Sequence, residues 1–173
     1  MQVLLGIGGG IAAYKAPELV RALRRAGHGV RCVVTDNARR LVAPDALVAV
    51  SGAPVATTMW PGDGSMPHIE LARWCDALVV APATADLLAR FALGLADDLL
   101  TTLYLALEPS KRLVLVPAMN TVMWDKPIVQ THVATLRGAG ARIVPPIPGD
   151  LACGETGVGA QAAPEAIVAA LAG

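Results

Sequence analysis

Short, continuous apolar stretches alternate along the chain with longer segments whose apolar residues recur at helical spacing. The apolar stretches predict five buried strands, over residues 3–7, 30–34, 77–81, 113–116 and 142–144. Helices are predicted between and after them, over residues 12–26, 41–50, 84–92, 97–107, 129–137 and 164–171. Continuous apolar strands that alternate with helices are typical of a parallel sheet covered on both faces. We therefore expect an α/β fold in one domain over residues 1–173, a three-layer, doubly wound parallel sheet of Rossmann-like type.

The loops that follow the strands are where we expect the functional residues, because ligands in such sheets bind beyond the carboxyl ends of the strands. These loops span residues 8–10, 35–37, 82–86, 117–124 and 145–159. A further stretch, residues 51–67, is rich in Gly, Pro and Ser, which predicts an irregular loop.

Composition and charge narrow the classes of protein. Hydrophobic residues make up 54% of the chain, yet no apolar run reaches the roughly 18 residues of a membrane-spanning helix. Lys plus Arg equals Asp plus Glu, at 14 each, so charge gives no argument for a nucleic-acid or membrane partner. Cys32, Cys75 and Cys153 form neither a zinc pattern nor a disulfide framework, and no metal site is predicted. We expect a cytoplasmic protein that buries apolar surface between subunits.

Three consecutive glycines follow the first strand. Gly8, Gly9 and Gly10 would let backbone amides approach a phosphate at the positive end of the first helix. The spacing of Gly8, Gly10 and Ala13 also satisfies a relaxed dinucleotide fingerprint, with Asp36 where a ribose-binding acid would lie. On this motif alone, binding of NAD stays open, and so does a tight turn without a ligand.

Short polar side chains occupy two other strand-to-helix loops. Thr35 and Asn37 suit the phosphate of a mononucleotide, although capping of the next helix would use the same residues. The third strand is followed by Pro82, Ala83, Thr84, Ala85 and Asp86. The hydroxyl and the first amides of that segment suit a second polar part of a ligand, or helix capping alone.

Three further residues could carry chemistry. Asn120, between Met119 and Met123, places an amide in an apolar pocket, where it can orient a carboxylate or a flavin edge, or it is a turn residue whose neighbours pack in the core. His68 follows the irregular loop and can act as a base or a cation near neutral pH, or serve only in packing. Cys153 lies in a glycine-rich loop that would leave its thiol accessible.

Four segments are recognisable when they are taken together. They are Pro-Ala-Met-Asn-Thr-Val-Met-Trp at residues 117–124, Pro-Ala-Thr-Ala-Asp at 82–86, His-Ile-Glu-Leu at 68–71 and Ala-Cys-Gly-Glu at 152–155. The combination extends over nearly the whole chain. It resembles the homo-oligomeric flavin-containing cysteine decarboxylase family.

The resemblance implies that FMN is the cofactor. It also implies that Met119 contacts the FMN, together with the residues of the strand-to-helix loops named above. It implies that the cofactor lies between the subunits of a homotrimer, which can assemble further, up to a dodecamer. It also implies that His68 is catalytic, that Asn120 binds the substrate carboxylate, and that Met123 and Gly154 contact the substrate. In the family's mechanism the flavin takes a hydride from the carbon that bears sulfur, and the carboxylate then leaves as carbon dioxide. The product at that stage is an ene-thiol.

The family has two branches, and this chain has features of both. One branch acts on phosphopantothenoylcysteine in coenzyme A synthesis, and the other on the C-terminal cysteine of ribosomally made peptides. Cys153 matches the residue that helps the coenzyme A branch reduce its ene-thiol, which makes that reaction redox-neutral. Against this, Gly159-Ala160-Gln161 stands where the bacterial coenzyme A enzyme has Gly-Arg-Met, and the chain stops at Gly173, where that enzyme continues into a ligase domain. The balance narrowly favours the peptide, with the small-molecule thiol as the alternative.

Two other classes of function stay open. The glycine spacing allows an NAD-dependent oxidoreductase. Some relatives of the family are non-enzymatic, flavin-binding regulatory proteins that have lost catalytic residues. The presence of His68, Asn120 and Cys153 together argues against that class.

Overall fold

The computed structural model describes residues 1–172, and its centre is a parallel sheet of six strands. The strands are β1 (Gln2–Ile7), β2 (Gly29–Val34), β3 (Val55–Ala56), β4 (Ala77–Ala83), β5 (Arg112–Pro117) and β6 (Arg142–Ile143). They are hydrogen-bonded in the order β3-β2-β1-β4-β5-β6 and run in one direction. This is the doubly wound order in which the direction of winding reverses between β1 and β4. The predicted fold class is confirmed.

Helices cover both faces of the sheet. They are α1 (Ala16–Arg25), α2 (Pro44–Ser51), α3 (Pro67–Trp74), α4 (Ala85–Leu93), α5 (Leu99–Leu105), α6 (Thr121–Trp124), α7 (Pro127–Gly138) and α8 (Pro164–Ala169). Successive strand residues point to opposite faces, so Leu5 of β1 packs in a core with α1, α2 and α8. Its neighbour Leu4 packs in a second core with α3, α4, α5 and α7. None of the helices within residues 1–172 has both the length and the apolar character needed to cross a membrane.

The first helix begins later than predicted. Residues Ile11–Lys15 form a 3₁₀ turn, and α1 begins at Ala16 with Pro17 in its first turn. Proline costs little there, because the first N–H groups of a helix have no partner within it. The segment predicted as one helix over residues 12–26 is therefore two elements.

The structure has regular elements where the sequence predicts loops. The short strand β3 lies inside the 51–67 segment and pairs with β2. Residues 145–159, also predicted as a loop, contain most of an antiparallel hairpin of β7 (Ile147–Asp150) and β8 (Thr156–Ala160). Both loop predictions were wrong in this respect. Pro148, Gly149, Gly157 and Gly159 are poor strand formers, and they hide the alternation by which a strand is recognised.

Candidate active site

A large cavity opens beyond the carboxyl ends of β1, β4 and β5, where the winding of the chain reverses. Its volume is about 1070 Å³, just above the usual range for small-molecule and cofactor sites. The residues predicted for the site that line this cavity are Gly9, Gly10, Thr35, Asn37, Thr84, Asp86, Met119, Asn120, Met123 and Cys153. Five of the loops chosen from the sequence therefore meet at one place.

The glycine turn after β1 forms one wall of the cavity. A Cβ atom at Gly9 would overlap the Cβ of Asn37, and one at Gly10 would lie 3.3 Å from Cγ2 of Thr84. The N–H of Gly8 donates to the carbonyl of Pro82 at 3.2 Å, which joins the ends of β1 and β4. No side chain caps the 3₁₀ turn that follows. The turn leaves backbone close to the cavity, as a bound phosphate requires.

The loop after β2 combines one occupied and one free polar side chain. Thr35 Oγ1 donates to the carbonyl of Ile7 at 3.2 Å and accepts from the N–H of Ala38 at 3.3 Å. Its hydroxyl therefore holds the loop in place. The Asn37 side chain makes no capping hydrogen bond, although Asn37 precedes a 3₁₀ turn. Asn37 is accordingly the residue of this pair that is better placed to bind a ligand.

Charged side chains of α4 and of the segment that follows it also line the cavity. Thr84 caps α4, because its Oγ1 accepts from the N–H of Leu87 at 3.2 Å. Arg90 donates to Asp97 and, at 2.8 Å, to Asp86. These hydrogen bonds, with that to Asp97 the largest cause, raise the pKa of Arg90. The hydrogen bond from Arg90 likewise lowers the pKa of Asp97.

Asn120, which also lines the cavity, is at the centre of a small polar cluster. Its Oδ1 accepts from the N–H of Val122 at 2.8 Å, which caps α6 and fixes the orientation of the amide. Its Nδ2 donates to Glu155 Oε2 at 2.9 Å and lies 3.4 Å from Cys153 Sγ. Cys153 Sγ is in turn 3.5 Å from the same carboxylate oxygen. An amide donor, a thiol and a carboxylate thus converge within hydrogen-bonding distance.

The hairpin β7–β8 brings Cys153 and Glu155 to Asn120. The N–H of Met119 donates to the carbonyl of Gly159 at 3.1 Å, which fastens β8 to the end of β5. A Cβ at Gly159 would overlap the Met119 carbonyl, and one at Gly157 would overlap Thr121 Oγ1. Glycine is therefore required for the hairpin to approach this closely.

The structure does not bring every predicted residue to the cavity. Gly8, Pro82 and Ala83 support its wall from behind and do not line it, and Gly154 at the hairpin tip also stays outside. His68 lies in the first turn of α3 and does not line the cavity. Its Nδ1 is buried and has no hydrogen-bond partner within residues 1–172. Its catalytic role stays a prediction.

Several lining residues were missed by sequence analysis. Tyr14 and Lys15 face the cavity from the 3₁₀ turn, and Thr57 reaches it from beyond β3. Arg90 lies in α4, outside the loops chosen for function. The one signal in the sequence was an aromatic residue close to the glycine turn, Tyr14, which the structure shows to be 61% exposed.

The three thiols have different environments. Cys32 and Cys75 are buried, and burial raises the pKa of both thiols, that of Cys32 to about 12. Cys153 is exposed and lies at the cavity. It is the one cysteine with access to a ligand. Within residues 1–172, no group of three or more side chains is arranged to hold a metal ion.

Comparison with known proteins places the chain in a family. The family described as Flavoprotein matches residues 1–173. The coenzyme A biosynthesis bifunctional protein CoaBC of Vibrio vulnificus is 44% identical over 170 residues, which cover 97% of this chain and 42% of that protein. The CoaBC of Mycobacterium bovis is 47% identical over 159 residues, 91% of this chain and 37% of that protein. The chain thus spans about two-fifths of the length of these curated relatives.

Solved structures give the same result. A Cys-to-Ser mutant of PPC decarboxylase, complexed with pantothenoylaminoethenethiol, has a TM-score of 0.89 and 35% identity, with 99% of this chain and 96% of that chain covered. The FMN-dependent cysteine decarboxylase SpaF has a TM-score of 0.81 and 36% identity, with coverage of 99% and 97%. The resemblance inferred from the four sequence segments is confirmed. The chain belongs to the flavoprotein family that includes these cysteine decarboxylases.

Proposed function

We propose that this chain removes the carboxyl group of phosphopantothenoylcysteine in an FMN-dependent, redox-neutral reaction. The observation that carries the proposal is the position of Cys153, whose Sγ lies 3.4 Å from Asn120 Nδ2 in the cavity. A thiol beside an amide suited to a carboxylate is placed to give a proton to the carbon chain after carbon dioxide has left. An enzyme that releases the ene-thiol would not need this group.

The class of enzyme and its cofactor have firm support. The family match and the similarity to solved FMN-binding relatives confirm a flavin-containing cysteine decarboxylase with FMN as its cofactor. NAD, which the glycine spacing left open, is not supported. The FMN-binding protein AtHal3 is 36% identical to this chain. The non-enzymatic regulatory class, which the sequence left open, is tested below.

Two substrates were left open by the sequence. The comparisons favour phosphopantothenoylcysteine over a peptide that ends in cysteine. The curated relatives at 43–47% identity are coenzyme A biosynthesis proteins. The PPC decarboxylase structure holds pantothenoylaminoethenethiol, an ene-thiol of the pantothenoyl series. SpaF, at 36% identity, keeps a second cysteine substrate open. We therefore do not retain the narrow preference for a peptide.

The cavity fits FMN. We infer that the glycine turn and Asn37 hold the phosphate, because Gly9, Gly10 and Asn37 line the cavity and the Asn37 side chain makes no capping hydrogen bond. The whole cavity has a volume of about 1070 Å³. The part beyond the phosphate accommodates the flavin ring system together with a substrate. When bound, FMN supplies the hydride acceptor that no side chain of the protein can provide.

Asn120 would hold the substrate carboxylate. Its Oδ1 is committed to Val122, so the amide cannot rotate without losing that hydrogen bond. Its Nδ2 therefore faces the cavity as a fixed donor, in the orientation that a carboxylate requires. Glu155, whose Oε2 now accepts from Nδ2, must yield that position when the substrate carboxylate arrives.

Cys153 would hold a proton at Sγ until it is needed. The carboxylate of Glu155, 3.5 Å from Sγ, can accept the thiol hydrogen bond and so keep the S–H group oriented. Loss of carbon dioxide leaves an ene-thiol, and return of the hydride first taken from the substrate, together with one proton, converts it to the saturated thiol. The thiol of Cys153 supplies that proton, and solvent at the exposed hairpin restores it.

We place His68 in the site of a neighbouring copy of the chain. It does not line the cavity of its own protomer. Large apolar side chains are exposed near the cavity and the start of α3, at Ile11, Tyr14 and Met66, as expected for a surface that packs between subunits. A homotrimer, the assembly predicted from the resemblance, would complete each site with a histidine from the next subunit.

The test is mass spectrometry of the products from the purified protein with phosphopantothenoylcysteine or with a short peptide ending in cysteine. Loss of carbon dioxide alone, about 44 mass units, from the first substrate is expected. With Cys153→Ser the product should become about 2 units lighter, because reduction of the ene-thiol stops. Thr156→Ala, which removes only the hydrogen bond to Asp150 in the same hairpin, is the control and should give the wild-type product. Turnover of the peptide alone refutes the proposed substrate, and turnover of neither substrate supports the regulatory class.

A further inference from the structure

Gln161 is an anomaly among the buried polar side chains. Three such side chains are buried within residues 1–172, and two of them are explained by hydrogen bonds. Ser51 Oγ both donates to and accepts from the backbone of Ala53 at 3.2 Å. Thr101 forms a capping box with Asp98. Gln161 is only 4% exposed, and its Oε1 has no hydrogen-bond partner in this part of the chain.

The position of Gln161 points to a ligand. The residue directly follows β8 and lines the same cavity as Asn120 and Cys153. Buried carbonyl oxygens in folded proteins nearly always have a donor, so an unpaired one at a cavity wall indicates that the donor arrives with a ligand. A purely structural role would be served as well by an apolar side chain of the same size.

We propose that Gln161 recognises an amide-type N–H group of a molecule bound in the cavity. Oε1 accepts from this N–H, and the NH₂ group of the same carboxamide can donate to a carbonyl beside it. Two molecules of the proposed reaction carry such a group. One is the flavin ring, whose imide N–H is flanked by two carbonyls, and the other is the acylated cysteine, whose amide N–H adjoins the reacting carbon. If the N–H group belongs to the flavin, the inference depends only on the cofactor. If it belongs to the acylated cysteine, the inference rests on the proposed function.

The substitution Gln161→Met tests the proposal, because methionine matches the length of glutamine and has no amide. Without ligand, the variant should melt at a temperature equal to or above that of the wild type, since an unpaired buried oxygen is removed. With ligand, it should lose affinity by about three- to tenfold, the worth of one neutral hydrogen bond. Stability that is kept or gained without ligand, combined with affinity that is lost with it, cannot arise from a merely structural glutamine.

Two titrations identify the source of the N–H group. A rise in the dissociation constant of FMN for the flavin-free protein, followed by flavin fluorescence, identifies the flavin imide. An unchanged FMN constant, with KM for phosphopantothenoylcysteine raised about three- to tenfold and kcat retained, identifies the substrate amide. Unchanged constants for both ligands overturn the proposal, and so does a lower melting temperature of the ligand-free variant.

The matched control is Gln130→Met. Gln130 carries the same amide, but its Nε2 already donates to the carbonyl of Trp124 at 2.6 Å, and it does not line the cavity. This variant should be less stable than the wild type and bind FMN normally. If the protein does not turn over phosphopantothenoylcysteine, the FMN titration can still be interpreted. The proposed function and the proposed role of Gln161 can therefore be refuted independently.

Discussion

Asn120→Asp is the sharpest test of the polar cluster, because it changes one atom and leaves the shape of the side chain intact. The new carboxylate can still accept from the N–H of Val122, now at 2.8 Å from Oδ1, so α6 keeps its cap. What is lost is the donor to Glu155, and a negative charge replaces it at a separation of 2.9 Å. The substrate carboxylate would meet the same charge.

The magnitude follows from this distance. Two unit charges 2.9 Å apart repel by about 6 kcal/mol at an effective dielectric constant near 20, and by about 1.4 kcal/mol in water. Glu155 and Cys153 are exposed, so solvent screening places the effect towards the lower figure, about 1.4–3 kcal/mol. At about 1.4 kcal/mol per factor of ten, kcat/KM should fall by about 10- to 150-fold.

The assay is release of carbon dioxide under kcat/KM conditions, with the flavin absorbance recorded for each preparation. FMN should be retained, because Asn120 is proposed to bind the substrate carboxylate. The double variant Asn120→Asp, Glu155→Gln removes the repulsion within the protein but not the repulsion of substrate, and should recover activity only in part. Activity within twofold of the wild type in Asn120→Asp would refute the role of the amide. Loss of flavin would assign Asn120 to the cofactor.

The remaining predictions concern thiols, flavin binding and acid stability. An aromatic disulfide reagent should modify one thiol quickly in the native protein, and Cys153→Ser should remove this fast phase, because burial raises the pKa of Cys32 and Cys75. Gly9→Ala should weaken FMN binding in a fluorescence titration about tenfold or more, since its Cβ overlaps the loop after β2, and an unchanged affinity would remove the glycine turn from the site. Burial, with a smaller contribution from the N-terminal ammonium, lowers the pKa of His28 from its ordinary 6.5, so the folded protein binds this proton less readily than the unfolded chain. The free energy of unfolding should therefore fall as the pH drops below about 6.5, and urea titrations of His28→Gln should show a shallower decline.

The sequence predicts the sheet well because the strands are buried on both faces. Residues 3–7 of β1 and all of β4 are uninterrupted runs of apolar residues and need no partner to be recognised. β3 could not be predicted, because Val55 and Ala56 are the only two residues of that strand and lie in a segment dominated by turn formers. Its pairing with β2 is a property of the folded sheet.

The sequence predicted the residues of the site one by one, and the structure shows which of them lie close together. Asn120 and Cys153 were chosen for their chemistry, but their approach depends on the hydrogen bond between Met119 and Gly159, 40 positions apart in sequence. Nothing in the local pattern indicates this pairing. Glu155 was only part of a motif until its carboxylate was found on the Asn120 amide. The distance of His68 from the cavity was likewise invisible, since it depends on how α3 packs against α5.

The hairpin β7–β8 carries residues of the candidate site but, within residues 1–172, adds no side chain to either hydrophobic core. Among the described residues, neither apolar core includes any side chain from positions 147–160. Substitutions at its tip are therefore free of the volume constraints that act on a packed core. A descendant of this protein could exchange the reducing thiol, or lengthen the hairpin, and keep the sheet and the cofactor turn unchanged. Release of an ene-thiol in place of a saturated thiol would then be a change of a surface segment, within reach of a few mutations.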